Sequence, residues 1–187
     1  MDGGSTDATA ALAAPLCDRL IHSERGRALQ MNAGAALASG DALVFLHADS
    51  RLPAEADSAI SNALKSKSWG RFDVAIEGRH RLLKVVACAM NLRSRLTGIA
   101  TGDQAIFVRR DAFGGFAAIP LMEDVAFSRQ MKRSSPPACL RERVTTSARR
   151  WESRGVIRTI LLMWRLRLLY ALGVAPERLA RRYADAR

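Results

Sequence analysis

Aromatic side chains are scarce, at 6% of 187 residues, and do not alternate with basic ones. A base-stacking surface has little to build on, so nucleic acid is not an expected partner. Cysteine is scarcer still. Cys17, Cys88 and Cys139 are odd in number, far apart and without metal-ligand spacing, which suggests buried thiols in a reducing, cytoplasmic setting rather than a disulfide framework. No charged-then-apolar leader opens the chain, and no run of 18 residues is free of charge, so a clean transmembrane span is not expected. Acidic residues are the minority charge: 18 Asp and Glu against 29 Lys and Arg give a net +11. Such an excess favours anionic partners such as nucleotide phosphates or an anionic membrane face. What remains is an ordinary globular composition, 49% apolar and 25% charged, expected to form one domain over 1–187.

The chain is organised around Asp41–Pro53, DALVFLHADSRLP. Ala42–Leu46 is a short apolar run with turn residues on both sides, the pattern of a buried strand. His47, Asp49 and Ser50 follow where the strand ends, and open α/β sheets bind ligands at the carboxyl ends of strands. An imidazole and a carboxylate two positions apart can face one ion or phosphate; a plain strand-to-loop Asp turn is the other reading.

Upstream, Asp2-Gly3-Gly4-Ser5-Thr6-Asp7 is a glycine turn before a helix-friendly run, with Ser5 or Thr6 as its cap and Asp7 in its first turn. Leu20-Ile21 reads as a short strand. Arg25 and Arg27 flank Gly26 before a helix over 28–38, either a diphosphate cradle or a solvated basic loop. Downstream, helices are expected from Pro53 to about Lys65, within His80–Leu96, and from about Leu121 to Lys132. Strands are expected at 71–79, 105–108 and 138–146, with 65–70 a loop. The segment 155–172 is apolar but interrupted by Arg158, Arg165 and Arg167. It reads as an amphipathic helix, either packed on protein with its arginines snorkelling outward or lying in a membrane interface. Pro176 is expected to end that pattern before a charged tail.

In this order the segments resemble the inverting GT-A glycosyltransferases, the large family that includes dolichyl-phosphate mannose synthases. Asp2–Asp7 is similar to their nucleotide loop. Gly26-Arg27-Ala28 with Asn32, Gly34 and Ala38–Asp41 is similar to their second nucleotide segment. Phe45–Asp49 lies at the metal motif and Glu123-Asp124 at the base motif. The run Thr146–Glu152 with Leu172-Gly173-Val174 resembles a bacterial subgroup linked to arsenosugar biosynthesis. The resemblance implies a Rossmann-like three-layer α/β sandwich with a mostly parallel central sheet. It also implies transfer of a sugar from a UDP- or GDP-type donor to an acceptor hydroxyl with inversion. In that reading Asp124, with Glu123, supplies the base. Asp2, Gly3, Ser5, Asp7, Arg27, Asn32 and Ala48 contact the nucleotide. Asp103, in Thr101-Gly102-Asp103, lines the acceptor side, and Arg150-Trp151 lies near the diphosphate or acceptor. Asp49, with His47, would hold Mg²⁺ or Mn²⁺.

Three departures qualify the resemblance. His47 stands where the metal motif is usually acidic, and imidazole suits Mn²⁺ better than Mg²⁺. Gly3 stands where a carboxylate often follows Asp2. The family normally begins with a strand and helix ahead of the aspartate loop, so the expected sheet lacks its usual first strand. A homo-oligomer, a peripheral contact with the inner membrane face and a catalytically silent nucleotide-binding module are the alternatives this leaves open.

Overall fold

Alternation along the strands decides the layers. In the computed structural model, which describes residues 1–185, Ile106 and Val108 face one way and Phe107 the other, all at most 2% exposed. The first face packs under α2 (Arg27–Leu37) and α5 (Glu123–Met131), through Ala28, Phe127 and Met131. The second packs under α3 (Ala56–Leu64), through Ala56 and Ile60 with Phe72 and Val144. Helix, sheet and helix form three layers.

The sheet contains β1 (Ala42–Phe45), β2 (Ser50–Arg51), β3 (Trp69–Glu77), β4 (Ile106–Arg109) and β5 (Ala138–Ser147), in the order β1-β4-β3-β5-β2. The expected mostly parallel sheet is corrected to a mixed one. Among the sheet's strand pairs in the described residues, β3–β5 is parallel and β1–β4, β4–β3 and β2–β5 are antiparallel. Apolar runs specify that strands form, whereas their direction is set by the connections between them. Here residues 98–105, with left-handed Gly98 (φ +66°) and Ala105 (φ +43°) on either side of a 3₁₀ turn, swing the chain so that β4 enters antiparallel to both neighbours. Among the described residues β1 pairs only with β4, so its other edge is free of strand partners.

Several boundaries differ from expectation for physical reasons. β3 begins at Trp69 inside the expected 65–70 loop, because the Trp69 ring is fully buried and its Nε1 donates to the Ser135 carbonyl at 2.8 Å. The strand expected at Leu20-Ile21 shrinks to one parallel bridge between Asp2 and His22. At α1 (Thr9–Ala13) it is Asp7, not Ser5 or Thr6, that accepts the first-turn amide, from Thr9 at 3.0 Å. Pro176 opens a helix instead of ending one. α7 (Val156–Ala171) stops before Gly173, at φ +85°, and Pro176 takes the first position of α8 (Pro176–Asp185), where its missing N–H costs nothing. Cys17 and Cys88 are exposed and Cys139 half-buried, contrary to the expected buried thiols, because Cys88 falls on the outward face of α4 (Leu82–Thr97).

One side of α7 packs on the protein, as one of its two readings expected. Val156, Thr159 and Leu166 are buried, while Ile157, Leu161, Trp164, Leu168 and Leu172 form an exposed apolar stripe. No described helix is long and apolar enough to cross a membrane.

Candidate active site

The carboxyl end of β1 opens into a cavity of about 1720 Å³, walled by α2, the loop after β1, α4, α6 (Arg149–Arg154), α7 and α8. Of the residues singled out in the sequence, Arg27, His47, Ala48, Asp49, Asp103 and Arg150 line it, as does Trp151. They come from four separate stretches of chain, and only the tertiary fold brings them together.

The other candidates are not on its wall. Asp2 is buried, and its carboxylate accepts the amides of Gly4 and Ser5, each at 3.0 Å, together with the Ser5 hydroxyl and His22 Nδ1 at 3.0 Å. The Ser5 hydroxyl and amide hold that carboxyl well below its usual range. Asp2 and Ser5 therefore build their own loop. Arg25 reinforces it by donating to the carbonyls of Gly3 and Gly4 at 3.1 and 3.0 Å, and so does not stand beside Arg27 as a cradle. Asn32 exchanges two hydrogen bonds with the backbone of Phe116, at 2.8 and 2.9 Å, and staples α2 to the 113–116 loop.

Arg27 is fixed from behind. Its Nε lies 2.9 Å from the Glu123 carboxylate, which is only 2% exposed. Burial pushes the Glu123 carboxyl up, and the Arg27 charge opposes that push. Asp124, at the start of α5, accepts the amide of Gly102 at 3.1 Å and that of Val125 at 2.7 Å. It thus sits one residue from Asp103, the carboxylate on the wall itself. Asp103 and His47 Nδ1 lie 3.4 Å apart. That hydrogen bond raises the imidazole against the effect of its burial. Burial pushes Asp103 up, but His47, Arg150 and Arg27 together hold it below its usual range.

The implied divalent cation does not fit these residues. No three His, Cys, Asp or Glu side chains converge among the described residues. His47 has Nδ1 on Asp103, and Nε2 so close to Gly102 that a Cβ there would lie 2.4 Å from it. Asp49 is left as a single carboxylate, with the Ser50 hydroxyl 3.4 Å away.

Two residues of the wall escaped the sequence reading. Arg93 of α4 and Arg167 of α7 both line the cavity, and burial with repulsion from Arg167 pushes Arg93 down to about 10, still charged at neutral pH. Arg93 Nε and Nη2 and Arg167 Nε are buried without a hydrogen-bond partner among the described residues. Their signal was periodic: Leu83, Val86 and Met90 mark the inward face of α4, and Arg93 continues it. Arg158 and Arg165 do face outward as expected, but Arg167 does not.

Residues 1–82 match the family model for glycosyl transferase family 2. The matched segment carries the Asp2 loop, Arg27, His47 and Asp49 and ends at the start of α4. It supports a glycosyltransferase-type assignment, with a nucleotide-sugar donor and an acceptor as the implied partners. No curated protein and no solved structure matches the chain.

Proposed function

We propose that this chain transfers a sugar from a nucleoside-diphosphate donor, of UDP or GDP type, to an acceptor hydroxyl with inversion. The observation that carries the reading is the gathering of Arg27, Arg150, Asp49 and Asp103 on one cavity at the carboxyl end of β1, next to the segment that matches the family. Arg27, oriented by Glu123, and Arg150 face the charge that builds on the departing diphosphate. Trp151 supplies an apolar wall. The acceptor oxygen bonds to the anomeric carbon from the face opposite the diphosphate. The diphosphate leaves with the electron pair of the broken C–O bond, and the hydroxyl proton passes to a carboxylate. Asp124 takes that role, held by two backbone amides.

A nucleotide-binding module without turnover is the second reading. It is favoured by the position of Asp124 behind Gly102 and by the full engagement of Asp2 within its own loop. Calorimetry with UDP and GDP, with and without Mn²⁺, tests binding. Transfer from a panel of nucleotide sugars tests turnover. Arg27→Ala should weaken nucleotide binding by about tenfold. Asp124→Asn should abolish transfer and leave binding near its original level. Binding of neither nucleotide would refute both readings, and transfer undiminished in Asp124→Asn would remove that residue as the base.

A further inference from the structure

Arg93 and Arg167 line the same cavity from two different helices, and the Arg167 charge is among the causes that disfavour the Arg93 charge. Neither makes an ion pair within 4.0 Å among the described residues, although Asp124 and Asp103 act on them from farther away. Arg71, the one cation fully buried among the described residues, is by contrast ion-paired, although its Nε also lacks a hydrogen bond. Its partner is Asp73, which also takes Arg95 at 2.7 Å. Burying two like charges with unbonded N–H groups works against folding unless something else answers them. The planar fork of a guanidinium matches a carboxylate or phosphate through paired N–H donors.

We propose that the Arg93–Arg167 pair is an oxyanion site for the acceptor, so that the acceptor is a hydroxyl compound bearing a phosphate or carboxylate group. This rests on the glycosyltransferase reading for the word acceptor, but the anion site itself does not. Both arginines act electrostatically with Asp124, the proposed base, and Arg167 with Asp103 as well. Arg27, by contrast, is already committed to Glu123. A neutral sugar or alcohol would leave the two guanidinium groups unanswered, so the site discriminates by charge before it discriminates by shape.

The test uses the whole chain at constant ionic strength. Inorganic phosphate, glycerol 3-phosphate and glycerol are titrated by calorimetry, alone and with saturating UDP or GDP, and repeated on Arg93→Gln and Arg167→Gln. Phosphate and glycerol 3-phosphate should bind and glycerol should not. Each variant should lose roughly tenfold or more in affinity for the anions. Nucleotide affinity should stay unchanged, which also shows that the variants fold. Co-sedimentation with phosphatidylglycerol against phosphatidylcholine vesicles locates the source of the anion. Loss of vesicle binding in Arg93→Gln assigns it to a lipid headgroup, and Arg93-dependent binding in solution alone assigns it to a soluble acceptor. Anion binding that is absent, or indifferent to both substitutions, overturns the proposal. So does mutual exclusion of phosphate and nucleotide with equal loss of both in the variants, which would put the pair on the donor diphosphate. Phosphate bound without any nucleotide binding would fail the glycosyltransferase reading and leave the anion site standing; the reverse result would fail the site alone.

Discussion

Replacing Arg27 by Met should destabilise the protein in a way that depends on pH, because the damage falls on Glu123. Glu123 lies almost wholly out of water while the Arg27 side chain is 44% exposed, so the two partners are unequal. Without Arg27 the carboxylate has lost its counter-charge, whereas without Glu123 the guanidinium can still turn to solvent. Breaking a fully buried pair costs about 3–5 kcal/mol, and the half-exposed arginine lowers this to about 2–3 kcal/mol near pH 8. In a chain of 187 residues that is a drop in Tm of roughly 5–10 °C. The sign with pH follows from the direction of the shift. Burial raises the folded-state value above the ordinary 4.5, so the neutral form is the better accommodated one. The stabilising contribution of protonated Glu123 is complete below 4.5 and is lost as pH rises through the raised value. The defect in Arg27→Met should therefore be largest at pH 8 and should shrink steadily toward pH 4.5. Urea denaturation at four or five pH values reads this directly. The double variant Arg27→Met, Glu123→Met should recover most of the loss at pH 8, since an apolar pair of similar volume replaces the ions. A loss that is the same at pH 5 and pH 8, or a double variant no better than the single, would refute the argument.

Gly102→Ala should drive His47 away from Asp103, because the new Cβ would lie 2.4 Å from Nε2. Its imidazole, raised by the Asp103 hydrogen bond, should then titrate closer to the ordinary 6.5, as followed by proton NMR; an unchanged titration would sink the assignment. Asn32→Ala should cost about 2 kcal/mol in urea denaturation, because the amide and carbonyl of Phe116 lose their partners in a site where Phe116 is 4% exposed. A loss near zero would show that solvent takes over both bonds.

The sequence was most informative where one stretch of chain acts alone. The β1 run and the His47–Asp49 cluster beyond it are local facts of period and turn chemistry, and both stand in the structure where the pattern put them. The helix after Gly26 begins one residue from its expected start, because that glycine adopts φ +149°, which other residues resist. The same local logic misjudged Pro176. A proline that ends one helix and a proline that opens the next look alike when only the preceding turn is considered.

What the chain alone determined is which elements form and which polar residues stand at their ends, since 3.6-residue and two-residue periods and glycine turns act over a few positions. What the tertiary structure alone decided is who meets whom. Asp2 turned inward to His22 and Ser5, Asn32 to Phe116 across 84 positions, and Glu123 to Arg27 across 96. β4 took a direction that no apolar run encodes. Arg93 and Arg167 became a pair only because α4 and α7 border one cavity. Hydrogen bonds and charges act through space over a few ångströms, and the sequence gives distance along the chain instead.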